Sequence, residues 1–213
     1  MRKAHTYLPF ILAMCAVVAA SNYLVQFPVQ ATLGGVNLAD LLTWGAFTYP
    51  VAFLVTDLTN RRFGPAAARV VVIAGFVLAV ALSIWLATPR IAIASGSAFL
   101  VAQLLDVAVF QRLRQSAWWK APLISSLIGS VIDTVLFFGV AFSAGFAFLD
   151  TGFGLEDGSL AFPVPFLGIG GEVPLWLSLG AGDFCVKILV ALVLLAPYKV
   201  LRGFIMDRSA VPA

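Results

Sequence analysis

The feature that most constrains this chain is its hydropathy pattern. Six long apolar runs follow one another, separated by short polar or mixed connections. A helix needs about 20 mostly apolar residues to cross the hydrocarbon core of a bilayer. The runs that meet this length lie at roughly 7–26, 40–59, 66–87, 91–113, 122–148 and 174–201. Charged residues make up only 11% of the chain and hydrophobic ones 62%, against about 25% charged in a soluble domain. A water-soluble fold of 213 residues still exposes a large share of its area and could not hide this much apolar surface. The expected fold class is all-α: a polytopic membrane protein, one six-helix transmembrane domain spanning 1–213, with the lipid bilayer as its solvent.

Prolines punctuate the runs where a missing amide costs little. Pro9, Pro65, Pro89, Pro122 and Pro174 sit at or near helix starts. Pro50 and Pro197 lie inside runs and predict kinks. The opening Arg2-Lys3, followed by an apolar stretch ending in Ala19-Ala20-Ser21, has the outline of a signal peptide. Apolar character continues through Tyr23-Leu24-Val25, however, and further spans follow, so the segment is expected to stay as the first helix.

Basic residues set the orientation. Arg2 and Lys3 precede the first run. Arg61, Arg62 and Arg69 fall at the second connection, Arg112, Arg114 and Lys120 at the fourth, and Lys199, Arg202 and Arg208 at the tail. Eleven of the 13 lysines and arginines therefore share one side, Arg90 alone lies on the other, and Lys187 lies within a run. The fifth connection is Gly/Pro-rich and carries Asp150, Glu156, Asp157 and Glu172. The positive-inside rule then places both termini in the cytoplasm and the acidic loop outside. The net charge of +3 is spent on topology, which argues against nucleic acid as a partner. Trp85, Trp118, Trp119 and Trp176 fall at boundaries, as interfacial belt residues do.

Ionisable groups inside a span cost about 2.5–3.5 kcal/mol each on insertion scales, so each asks for a function. Asp133 and Asp183 fall near mid-membrane, Lys187 lies one turn from Asp183, and Asp57 and Asp106 sit nearer the cytoplasmic ends. Asn22 and Gln26 share a face of the first span. Plainer roles exist for some of them: Asp183 and Lys187 as a self-neutralising pair, Asp57 as a partner of Asn60 or Arg61, Asn22 and Gln26 as interhelical glue. One lysine cannot neutralise Asp133, Asp106 and Asp183 together, so at least two carboxylates are expected to face a substrate cavity.

The residue inventory excludes several membrane activities. His5 is the only histidine and precedes the first span, which rules out a serine–histidine protease dyad and a zinc site of the H-E-x-x-H kind. Cys15 and Cys185 lie in apolar runs and form no framework. No G-x-x-x-x-G-K-[ST] loop is present, so the chain alone is no ATP-driven pump. Neither a cofactor nor a metal is called for. Gly180-Ala181-Gly182-Asp183 matches the G-x-G-D core of intramembrane aspartyl proteases, with Asp133 or Asp106 as a partner carboxylate. That is the alternative to small-solute transport.

A resemblance then sharpens the transport reading. Ser21-Asn22-Tyr23-Leu24-Val25-Gln26, and Thr43-Trp44-Gly45-Ala46-Phe47-Thr48-Tyr49-Pro50 running into Thr56-Asp57-Leu58-Thr59, resemble the N-terminal signature of the YhhQ-type queuosine precursor transporters, also called the vitamin uptake transporter family. The similarity continues through Leu104-Leu105-Asp106-Val107, Arg112-Leu113-Arg114-Gln115, Trp118-Trp119 and Ala121-Pro122, and closes on Asp133-Thr134 and Asp183…Cys185…Lys187. It touches five of the six spans. The resemblance implies a multi-pass protein of the bacterial inner membrane, not an enzyme, that imports 7-deazaguanine bases such as preQ0 and preQ1 for the queuosine of tRNA.

The residues suit that cargo. A deazaguanine edge offers an N1–H and an exocyclic amine side by side, which one carboxylate accepts in a bidentate, charge-assisted geometry. Asp133 or Asp183 is expected to read that edge, with Lys187 orienting the other carboxylate and Asp106 and Asp57 lining the inner half. Asn22, Gln26 or Lys187 could donate to O6. Trp44, Phe47 and Tyr49 could stack on the ring, at about 1–3 kcal/mol per base.

Overall fold

The structure is a computed structural model that describes residues 7–207, with side chains described to residue 205. Arg2, Lys3, His5 and Arg208 lie outside the described residues. Helix α1 spans Leu8–Leu24, α3 Val51–Phe63, α4 Pro65–Leu86, α5 Pro89–Leu113, α6 Lys120–Phe142 and α8 Leu175–Asp207. Two four-residue helices, α2 (Gly45–Thr48) and α7 (Phe148–Thr151), and two small antiparallel hairpins occupy the connections. The hairpins are β1 (Thr32–Leu33) with β2 (Val36–Asn37), and β3 (Pro163–Pro165) with β4 (Glu172–Pro174).

The protein is thus mostly helical, and α4, α5, α6 and the 175–205 part of α8 are long and apolar enough to cross a membrane. Helix α1 is a 17-residue apolar helix, shorter than the 7–26 expected. The expected 40–59 span differs more. Residues Leu38–Asp40 form a 3₁₀ turn, Thr43 pairs with Pro28, and helix begins only at Gly45. Pro50 then separates α2 from α3, because it has no amide to donate. Around it the bonds tighten to Ala52 N–H on Tyr49 O and Phe53 N–H on Pro50 O. The expected 122–148 span ends at Phe142, where Ser143 turns to extended backbone. Helix α8 continues through Pro197.

Gly64 makes the sharp turn between α3 and α4 at φ +85°, a conformation that disfavours any side chain. Gly45 lets α2 lie against α1, since a Cβ there would stand 2.9 Å from Val25 Cα. Helices α5 and α6 pack along their lengths, α4 joins α5 to α1, and α8 closes against α6. An apolar core of Met14, Val18, Ala68, Val71, Val72 and Phe99 holds α1, α4 and α5 together. Large hydrophobics such as Leu12, Val77, Ile84, Val135 and Val193 point outward, the reverse of a soluble fold and the arrangement lipid requires.

Candidate functional site

The apolar pattern of the helices is broken at two levels, and the structure separates them. The upper level lies toward the end that carries the acidic loop. Asp133 stands about 14 Å from the end of α6, and Asp183 and Lys187 lie in the third and fourth turns of α8, by the helical geometry. Lys187 Nζ donates to Asp133 Oδ2 at 2.6 Å and pairs with Asp183 Oδ2, so one ammonium bridges two carboxylates. The sequence spacing revealed only the pair one turn apart. The bond across to α6 is the tertiary addition.

Every other oxygen and donor of this cluster is spoken for, with one exception. Tyr49 Oη donates to Asp133 Oδ1 at 3.1 Å, which occupies both Asp133 oxygens. Thr134 Oγ1 accepts from Lys187 at 3.1 Å and donates to Asp183 Oδ2 at 3.0 Å. Lys187 also lies 5.6 Å from the centroid of the Tyr49 ring, a favourable cation–π placement. Asp183 Oδ1 receives no hydrogen bond among the described residues. The cluster carries one net negative charge and presents one unoccupied carboxylate oxygen.

Asp183 borders a cavity of about 410 Å³ built by α1, α2, α4, α5, α6 and α8. Such a volume falls in the range of small-ligand sites. Asp133, Asp183, Lys187 and Tyr49 form its polar floor, and Phe137, Phe138 and Phe142 line one wall. Exposed Gln26, Asp40 and Leu86 stand at its mouth, so it opens at the acidic-loop end. Asn22 and Gln26 both line it, although the Asn22 amide is engaged with Val18 O at 2.9 Å. Trp44 and Phe47 do not line it: they pack on each other with centroids 5.6 Å apart, and Trp44 is 48% exposed. The aromatic wall is Phe137 and Phe138 instead. Neither was singled out from the sequence, although Phe137 follows Asp133 by one helical turn and so shares its face.

The rim of the cavity is fixed by Arg90, which is 1% exposed. Its guanidinium reaches Asp150 at 2.7 Å and Asp157 at 3.4 Å, and donates to the carbonyls of Val140 and Ser143. This capture of the last carbonyls of α6 is why that helix stops at Phe142. Asp157 is held below the ordinary carboxylate pKa, first by the hydroxyl and amide of Ser159 and then by Arg90.

The lower level lies toward the basic end. Asp57 and Asp106 are 1% and 0% exposed and do not line the large cavity. Neither forms an ion pair among the described residues. Asn60 donates instead to Val107 O at 3.0 Å, and Arg61 to Tyr198 Oη at 3.0 Å. Arg61 and Arg114 also exchange hydrogen bonds with each other's backbone carbonyls, at 2.6 and 2.5 Å. Together with Arg62 on Ile205 O at 3.1 Å, these bonds tie α3, α5 and α8 shut at this end.

Helices with outward-facing apolar side chains surround a largely apolar chamber that has a polar floor and is open at one end, an architecture that suits a membrane protein with a small-ligand site. The comparisons give the class its name. The model of the family described as "Putative vitamin uptake transporter" matches residues 43–88 and 82–201, and the chain belongs to that family of transporters. It is 36% identical to the "Queuosine precursor transporter" of Escherichia coli (strain K12), over 91% of this chain and 85% of that protein. It is 35% identical to the "Probable queuosine precursor transporter" of Haemophilus influenzae, over 97% of this chain and 90% of that protein. A Bacillus subtilis protein of the same description is 27% identical over 61% of this chain and 64% of its own length. No solved structure matches the chain.

Proposed function

We propose that the protein imports 7-deazaguanine bases, preQ0 and preQ1 among them, across the bacterial inner membrane for the queuosine of tRNA. In this reading the chain forms one domain that crosses the membrane six times, with α2–α3 acting as one proline-bent span and both termini in the cytoplasm. The acidic loop and the mouth of the chamber then face outward, and the Arg61–Arg114 clasp faces the cytoplasm. In this reading the chamber is open to the outside and closed to the cytoplasm.

The observation that carries the reading is the unoccupied Asp183 Oδ1 at the floor of a 410 Å³ chamber with a phenylalanine wall. A flat purine-like ring has an apolar face to lay on the Phe137–Phe138 wall and N–H donors at its edge for the free carboxylate oxygen. Asp133, with both oxygens engaged, is the counter-ion that holds Lys187 in place. Of the two candidates read from the sequence, Asp183 is therefore the edge reader. Gln26 near the mouth, and the remaining amide hydrogen of Asn22, would donate to O6. An aspartyl-protease dyad needs two carboxyls sharing one proton, whereas here an ammonium stands between Asp133 and Asp183.

The test is import. Cells unable to make the precursor are fed preQ1, with and without this protein, and tRNA queuosine is measured. Queuosine that rises only with the protein supports the reading; equal queuosine in both cultures overturns it.

A further inference from the structure

The buried carboxyls at the lower level do not line the chamber, and among the described residues no ion pair compensates either of them. Asp57 from α3 and Asp106 from α5 are near enough to act on each other electrostatically, and the Ser125 hydroxyl of α6 lies 3.4 Å from Asp57 Oδ1. Ser125 has one hydroxyl proton for four carboxyl oxygens. Its bond to Asp57 Oδ1 is long, at 3.4 Å, and no donor completes a hydrogen bond to either oxygen of Asp106. The charged and titratable groups around them are few. Arg61 lies one turn along α3 from Asp57 and is committed to Tyr198 Oη and Arg114 O. Tyr198 comes from α8, and α6 presents only serines. Two facing carboxylates in a dry site repel, and a single proton turns them into a donor and an acceptor.

A second observation points the same way. Ser130 is 1% exposed, its Oγ has no hydrogen-bond partner among the described residues, and it lines, with Asp57, Ser126 and Tyr198, a void of about 20 Å³. That is room for one water, which needs polar partners of this kind. Asp133, Ser130 and Ser126 follow one another at helical spacing down α6. Asp133 lies on the floor of the chamber, and Ser126 and Ser130 line the void beside Asp57.

We propose that Asp57 and Asp106 together bind one proton, that this proton is the coupling ion of import, and that Ser130 and the water-sized void form its route from the chamber. The proposal rests on the transport reading above. The step balances as one proton taken from the outer solution through the chamber onto the carboxyl pair, and the same proton released to the cytoplasm as the Arg61–Arg114 clasp opens. No bond to cargo is made or broken.

The test uses purified full-length protein. In vesicles, preQ1 accumulation driven by an inside-alkaline pH gradient is compared with preQ1 counterflow at equal pH. One proton per cargo sustains about tenfold accumulation per pH unit. Asp57→Asn and Asp106→Asn should each abolish accumulation while counterflow continues, which also shows that the variants fold. Wild-type protein that ignores the pH gradient, or that follows a sodium gradient, overturns the proposal, as do variants that accumulate normally.

A readout that needs no cargo separates the two claims. The infrared band of a protonated carboxyl should be present in wild-type protein at neutral pH and lost in the D57N/D106N double variant. If it is lost while preQ1 never moves in wild type, the proton site stands and the cargo assignment fails. If the band is unchanged by the double substitution, the proton site fails whatever the cargo.

Discussion

Arginines fasten both ends of this bundle, but they do it differently. At the acidic-loop end Arg90 is buried against Asp150, a charged partner, and locks the loop after α6 onto α5. At the basic end Arg61 and Arg114 hold backbone carbonyls and a tyrosine hydroxyl, and neither forms an ion pair among the described residues. Breaking a buried ion pair leaves a naked charge and costs about 3–5 kcal/mol. An arginine leaving a carbonyl can exchange that partner for water at a helix end, at about 0.5–1.5 kcal/mol net per hydrogen bond. The first arrangement suits a permanent rim and the second a closure that must open once per cycle. The chamber lies against the rim, and the dry Asp57–Asp106 pair lies against the closure.

The comparison can be broken by mutation. Arg90→Ala should have the largest effect, lowering stability by about 3–5 kcal/mol because Asp150 is left buried and unpaired. Thermal unfolding in detergent reads this directly. Arg61→Ala should cost less, about 1–3 kcal/mol, and should raise the reactivity of a cysteine placed at Ser126 toward a water-soluble thiol reagent. Equal costs for the two substitutions would erase the distinction between rim and gate. Tyr49→Phe removes one hydrogen bond to Asp133 and should weaken preQ1 uptake by about 0.5–1.5 kcal/mol, or roughly 2- to 13-fold in KM. An unchanged KM would detach Tyr49 from the site.

The smallest expected effect is that of pH on the rim. Because Asp157 is held below its ordinary pKa, its contribution is fully present above the ordinary carboxylate value of about 4. It is lost only as pH falls through the lower folded value. Amide exchange at Gly158 and Ser159 should therefore show no excess loosening from neutrality down to about pH 4, and loosening below it. Loosening already near neutrality would show that Asp157 does not help hold the loop.

Much of this was legible in the sequence for physical reasons. Lipid demands long apolar runs, so α4 and α5 lie within two residues of where hydropathy put them and α6 and α8 start within two, although α6 ends six residues early and α8 six residues late. The rare acids marked the chamber and the pair beneath it, because their cost is high wherever they sit. Tertiary partners were not legible. Arg90 looked like a stray basic residue on the wrong side, and its five partners lie 50 to 69 residues away. Lys187 was visibly paired with Asp183, but its bond to Asp133 crosses 54 residues. Trp44 and Phe47 were plausible stacking residues by type alone. In the structure Tyr49 lines the chamber and they pack on each other away from it. The non-helical stretch before Gly45 escaped notice because its residues are as apolar as those of the helix.

The most direct test of the central claim is the initial rate of preQ1 import by Asp183→Asn beside Trp44→Ala, at matched amounts of inserted protein. The account predicts that Asp183→Asn slows import about 10- to 150-fold, the worth of a hydrogen bond to a charged group, while Trp44→Ala stays near wild type. Import at the wild-type rate by Asp183→Asn would contradict it, because no other oxygen of the cluster is left to read the base.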